Sequence, residues 1–216
     1  MALRVKELEG FQGTDVRQLS QLLEEQVPVH SIETLNWGEF PYQPKVSFRI
    51  ACANNNMILK FYVTEEHVLA RTTETNGPVH QDSCVEFFFD PLKDGRYYNF
   101  EVNAIGTVHL AYGPGRSDRQ LIAPATIEQH IQVESSLGTS VFEAEGGQYF
   151  WELFLVIPAS ILVHHPNIQL KGLAAKANFY KCGDHTSKPH FLSYYPIHTA
   201  APDYHRPEFF GDIFFE

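Results

Sequence analysis

The chain has 216 residues, 44% hydrophobic and 19% charged, which is enough apolar material for a real core and excludes disorder as the main state. Lys and Arg total 16 against 26 Asp and Glu, a formal charge of -10, which argues against nucleic acid and an anionic membrane surface as partners. No apolar run approaches the roughly 18 residues of a spanning helix.

The opening MALRVKELEGFQGTD has no apolar h-region, which together with the lack of a disulfide framework favours a cytoplasmic setting, with a secreted one as the alternative. Val16, Leu19, Leu22 and Leu23 then recur at helical spacing, with Thr14 or Asp15 placed to cap the helix and Pro28 to end it. The remainder reads as strands: KVSFRIACA, MILKFYV, SCVEFFF, YYNFEVNA, TVHLAY, FWELFLVI and GLAAKANFY, each bounded by Gly, Pro, Asn or Asp. DPLKDGR reads as a hairpin turn, and GPGRSDRQLIAPA, residues 113–125, as a long loop. Short strands between turn-rich segments predict an all-β fold, an antiparallel β-sandwich forming one domain over residues 1–216. Residues 1–34 would form an N-terminal helical extension of that domain. Cys52, Cys84 and Cys182 match neither a zinc spacing nor a disulfide framework, so buried, reduced thiols are expected.

Strand alternation separates two kinds of surface. Val85, Phe87 and Phe89 share one face, with Cys84, Glu86 and Phe88 on the other. Across the presumed hairpin, Tyr98, Phe100 and Val102 oppose Tyr97, Asn99, Glu101 and Asn103. In the last strand Ala175, Ala177 and Phe179 oppose Lys176, Asn178 and Tyr180. Two readings fit the polar faces: the solvated side of a sheet, or the floor of a site for a hydroxyl-rich ligand. Amides donate and accept, carboxylates accept from hydroxyls, and rings cover the apolar face of a pyranose. The C-terminal stretch adds His185, His190, His198 and His205 with Tyr194, Tyr195 and Tyr204. It contains no His-x-His pair and no HExxH, so these side chains read as the lining of a groove rather than as a transition-metal site. Glu86 and Glu101 also form the carboxylate pair that a glycoside hydrolase would need, which is the alternative function.

PVHQDSCVEFFFDP, YYNFEVNAIG, NFYKCGD and PDYHRPEFFGDIFF together resemble carbohydrate-binding module family 9-like proteins over roughly residues 35–216. The resemblance implies a β-sandwich that binds a mono- or oligosaccharide without chemistry, within carbohydrate-degrading systems and with a carbohydrate-active enzyme as partner. It implies that His80 stands near the place of the first of two sugar-clamping tryptophans. Glu86 matches the family glutamate, and Glu101 and Asn103 match a polar pair on the next strand, the first of which is commonly basic. Tyr194, Tyr195 and Tyr204 fall where the second tryptophan would lie, while Trp37 and Trp151 lie elsewhere. Structural calcium in some members makes Asp82, Asp90 and Asp94 the candidate ligands here.

Overall fold

A computed structural model describes residues 2–11 and 15–216. Strand β1 (Leu3–Glu7) precedes helix α1 (Val16–Gln26), and the short β2 (His30–Ser31) and β3 (Thr34–Leu35) lead into β4 (Lys45–Ala53) and β5 (Asn56–Ala70). Next come β6 (Cys84–Asp90), β7 (Tyr97–Asn103), β8 (Val108–Gly113) and β9 (Gln120–Leu121). Helix α2 (Pro124–His130), β10 (Gln132–Ser135) and β11 (Phe142–Pro158) follow, and β12 (Ala174–Cys182), β13 (Phe191–Ser193) and β14 (Gly211–Phe215) complete the series.

The expected β-sandwich is present, its two layers running β10-β11-β5-β4 and β14-β12-β6-β7-β8-β9. All pairings within the layers are antiparallel. Strand β1 joins the layers by two parallel pairings, Leu3–Val5 with Ile213–Phe215 and Lys6–Glu7 with Ala51–Cys52. Residues 1–34 are therefore not only a helical extension, because they contribute the seam strand. A second helix, α2, corrects the one-helix reading, and residues 120–125 of the expected loop hold β9 and the first residues of α2.

Local chemistry explains the elements. Asp15 caps α1 by accepting from the Arg17 amide at 2.9 Å, while Thr14, the alternative cap, lies outside the described residues. The β4–β5 hairpin turns on Asn54 and Asn55 at φ 49° and 60°, the left-handed region that asparagine tolerates. In the β6–β7 turn, Asp90 accepts from the amides of Asp94 and Gly95 at 3.3 and 2.9 Å. Leu19 and Leu23 of α1 cover Ala51, Ala53, Ile58 and Phe154 on the outer face of the first layer. No helix of the described residues is long and apolar enough to cross a membrane.

The core lies between the layers, where Phe48 and Phe179 stack at 3.9 Å. It also holds charge. Lys181 of β12 shares the inward parity of Ala177 and Phe179, and its Nζ lies 2.9 Å from Oε2 of Glu65 on β5, both groups fully buried. Trp151 Nε1 donates to the other Glu65 oxygen at 2.7 Å. Nζ also donates to the Cys182 carbonyl at 2.8 Å and lies 2.7 Å from His190 Nε2. Burial, reinforced by the Lys181 charge, pushes the His190 imidazole well below its ordinary pKa. Neutral His190 therefore accepts at Nε2 and donates from Nδ1 to the Lys188 carbonyl at 2.8 Å.

Breaking a buried pair leaves one charge without a counter-charge. Lys181→Met is therefore expected to lose about 3–5 kcal/mol of unfolding free energy. The Lys181→Met, Glu65→Gln double variant should lose less than the sum of the two singles. Urea denaturation of the four proteins measures this, and additive losses would dissolve the pair.

Candidate functional site

The polar face of β12, β6, β7 and β8 is neither an open solvated surface nor an open sugar floor. Glu86, Asn99, Glu101, Asn103 and Asn178 are all buried. The cover is the chain after β13 together with Trp37: Ile197, Tyr204 and Phe210 pack with Cys84, Phe88, Tyr97, Tyr180 and Cys182. Tyr204 is the centrepiece, stacked on Tyr180 at 4.1 Å and 10° between ring planes. Its hydroxyl lies 3.0 and 3.2 Å from the carbonyls of Lys181 and Leu192, which share its single proton.

One cavity of about 220 Å³ remains beneath this cover. Its floor comes from facing strands, with Glu86 directly opposite both Tyr180 on β12 and Glu101 on β7. Cys182 and Asp184 extend the floor at the end of β12, and His80 stands at the rim with its side chain 44% exposed. Arg116 and Arg119 enter from the loop after β8, and Pro202, Asp203 and His205 from the C-terminal cover. Phe191 and Tyr204 supply aromatic walls. The loop can deliver Arg119 because Gly113 lacks a side chain: a Cβ there would meet the Asp118 carbonyl oxygen at 2.3 Å.

The electrostatics are graded. Burial, and then the charge of Glu101, push the Glu86 carboxyl well above its usual range. Glu86 accepts from the Cys182 thiol at 3.2 Å. Glu101 Oε1 accepts from Asn99 Nδ2 at 2.7 Å and from Arg119 at 3.4 Å, with His80 Nδ1 3.9 Å from Oε2. Arg119 also donates to His205 Nε2 at 3.2 Å, which places the His205 proton on Nδ1, 2.8 Å from the Tyr97 hydroxyl. Burial and then Arg119 hold His205 down at about 3.

Of the residues expected at a site, His80, Glu86, Glu101 and Tyr204 line this cavity, and Asn99 supports it through Glu101. The others stand away from its walls. Asn103 donates to the Thr72 carbonyl and to Asp82, and accepts from the Thr107 amide, which ties down a turn. Lys176 reaches the Phe210 carbonyl, and Asn178 is spent on the backbone of Phe179 and Tyr195. Tyr180 is sealed under Tyr204. Tyr194 packs toward Phe48 and Phe179, while the Tyr195 ring lies 2.2 Å from where a Cβ on Gly211 would be. Neither tyrosine is a platform for this cavity, because their rings already cover the sandwich. His205, one of the tail histidines read as groove lining, also lines the cavity, whereas Arg116, Arg119, Asp184 and Phe191 were not singled out by the sequence reading.

The proposed calcium ligands do not converge. Asp82 and Asp90 flank opposite ends of β6, and eight residues of extended chain span roughly 26 Å. Asp82 Oδ2 already accepts from the Arg71 and Thr72 amides and from Asn103, and Asp94 accepts from the Arg96 amide. Oxygens holding N–H donors in this way serve as backbone clamps, and this donor set does not fit a calcium cage. All three cysteines are buried and free, as expected.

His205 gives a pH signature. Its folded pKa is about 3, below the ordinary 6.5, so between those values the unfolded chain binds a proton that the native protein does not. Stability from this group is complete above pH about 6.5 and falls with acidification by at most about 1.4 kcal/mol per pH unit. The raised carboxyls Glu86, Asp90 and Asp184 work in the opposite sense, favouring the native state at low pH. The expected observable is therefore a difference: His205→Gln loses stability less steeply than wild type from pH 7 to pH 4 in urea titrations. Parallel curves would show that His205 does not titrate in this way.

A profile of carbohydrate-binding family 9 matches residues 17–215. Among solved structures, a candidate carbohydrate-binding protein from Bacteroides uniformis is 37% identical with a TM-score of 0.93, covering 100% of this chain and 99% of the other. Two structures of a carbohydrate binding module family 9 protein from Caldicellulosiruptor kristjanssonii are each 14% identical. The glucose complex has a TM-score of 0.64, covering 100% of this chain and 96% of the other. The cellotriose complex has a TM-score of 0.58, with 100% and 94% covered. A search of curated proteins finds no match. The profile spans nearly the whole chain, and with it this chain belongs to carbohydrate-binding family 9.

Proposed function

We propose that the cavity over Glu86 and Glu101 binds one sugar residue without chemistry. The observation that carries this reading is the mixture of groups around one small space. Asp184 and Glu101 accept from hydroxyls, Arg119 and His80 donate to them, and the Phe191 ring offers an apolar face for C–H groups. A space of about 220 Å³ suits a single pyranose rather than the middle of a polymer. Family membership supports the same reading, and the relatives holding glucose and cellotriose make gluco-configured sugars the first ligands to test.

The hydrolase alternative finds less support. A glycosidase sets its two carboxyl groups on either side of the scissile bond. Here Glu86 and Glu101 are cross-strand partners rising from one floor, with their carboxyls side by side beneath the cavity.

Isothermal titration with glucose and cello-oligosaccharides tests the reading. Glu101→Gln is expected to weaken the best ligand by about 10–100-fold, corresponding to a charged hydrogen bond of about 1.5–3 kcal/mol. His80→Ala, at the exposed rim, should weaken binding while leaving the melting temperature unchanged. Wild-type affinity in both variants would place the sugar elsewhere, and steady release of reducing sugar by the wild type would revive the hydrolase.

A further inference from the structure

Two of the three cysteines meet. Cys84 on β6 and Cys182 on β12 are directly opposite each other in the antiparallel ladder, and both side chains leave the sheet on the cavity face. Glu86, two residues beyond Cys84, lies on that same face. The two sulfurs and a Glu86 carboxyl oxygen all lie within 4.8 Å of one another. Three fully separate constraints produce this cluster: the β6–β12 register, the alternation of β6, and the cover that seals the face. Among the described residues it is the one grouping of three such donors, and its donors are not those of the calcium expectation.

We propose that Cys84, Cys182 and Glu86 form a binding site for one borderline-soft divalent cation of the zinc and cadmium class, with its open coordination position facing the cavity. The donor set selects the ion, because two sulfurs favour zinc-like ions over calcium or magnesium, which take oxygen. The dimensions agree. Ligand atoms around a tetrahedral zinc, with bonds of about 2.3 Å to sulfur and about 2.1 Å to oxygen, stand roughly 3.6–3.8 Å apart. Cys182 Sγ already stands 3.2 Å from Glu86 Oε1, and with all three donors within 4.8 Å of one another side-chain rotation is enough to set these separations. Cys182 and Glu86 line the cavity, which gives an entry path, and three protein ligands leave a fourth position for water or a ligand hydroxyl.

Occupation is a proton-for-metal exchange with no change of oxidation state. Each metal–sulfur bond that forms releases the proton of one thiol to solvent, and Glu86 binds through its carboxylate, any proton on it leaving to solvent in the same way. Two thiolates and one carboxylate around a dication leave a single excess negative charge, and Arg119 on the cavity face lies on the side that offsets it. Burial holds both thiols up, Cys84 to about 12, so the two sulfurs keep their protons until an ion arrives.

The test uses the reduced, chelator-stripped full chain, titrated with cadmium and with zinc chloride. One equivalent of Cd2+ should produce the ultraviolet thiolate-to-metal charge-transfer band, and Ca2+ or Mg2+ should neither produce nor displace it. Cys84→Ser and Cys182→Ser should abolish the band, whereas Cys52→Ser should keep it. Either serine in so dry a place also strains folding, so the wild type supplies a second readout. Zn2+ should protect Cys84 and Cys182, and not Cys52, from alkylation mapped by mass spectrometry. Absence of a one-equivalent band in the wild type, or protection that falls on Cys52 instead, overturns the site. Sugar titrations on the stripped protein separate the two proposals: sugar binding with no cadmium band removes the metal site alone.

Discussion

The register of β12 depends on the ion pair inside the sandwich. Lys181 carries its ammonium into the core, where Glu65 neutralises it and His190 and the Cys182 carbonyl take its remaining donors. A one-residue slip of the strand would move that charge to the opposite face and drive Tyr180 or Cys182 inward in its place. Because side chains alternate, fixing Lys181 inward fixes its neighbours outward, toward the cover. The pair thus determines from one side of the sheet what stands on the other. Its contribution to net stability is small by comparison with what its removal costs, since desolvation consumes most of the Coulombic attraction. Its consequence is specificity of register.

On the far face, the second constraint is the tail. A sheet face bearing Glu86, Asn99, Glu101 and Asn178 would be soluble if left open, yet these groups are buried because Trp37, Ile197, Tyr204 and Phe210 lie over them. Each polar group then needs a partner, and almost all find one in the backbone of the cover or in each other, as for Asn178 with Tyr195 and Asn99 with Glu101. Where the cover leaves a gap, between the Arg119 loop and the Asp203–His205 segment, the polar groups remain available and the cavity results. The polar groups of the cavity are what remains of a polar face after most of it has been used to hold the chain together.

That division explains what was legible in the sequence. Alternation in SCVEFFF and YYNFEVNA placed Glu86 and Glu101 on one face, and the hairpin between them was readable from DPLKDGR. The same alternation marks Lys181 as inward, with Ala177 and Phe179, although a lysine at such a position was not recognised as a buried charge. The cover was illegible because no local period encodes it: Tyr204 reaches Tyr180 only through the tertiary path of the tail. For that reason Tyr194 and Tyr195 read as ligand platforms although their rings pack on the sandwich, while Tyr204 both packs on Tyr180 and lines the cavity. Arg116 and Arg119 lay in a segment readable only as a loop. Strand β1 escaped because LRVKE is too short and too charged to announce a buried seam.

That seam has a kinetic consequence. Leu3 pairs with Ile213, and Val5 with Phe215, so the contact closing the two layers joins residues more than two hundred positions apart. Closing so long a loop is entropically unfavourable, and non-local parallel pairing of this kind is slow to form. Hairpins such as β4–β5 and β6–β7 can assemble from neighbouring residues. The layers, by contrast, are locked to one another only when β14 is in place to receive β1. Until that pairing forms, each layer carries an unpaired strand edge, the kind of edge through which chains associate wrongly, so the seam strand also protects both sheets.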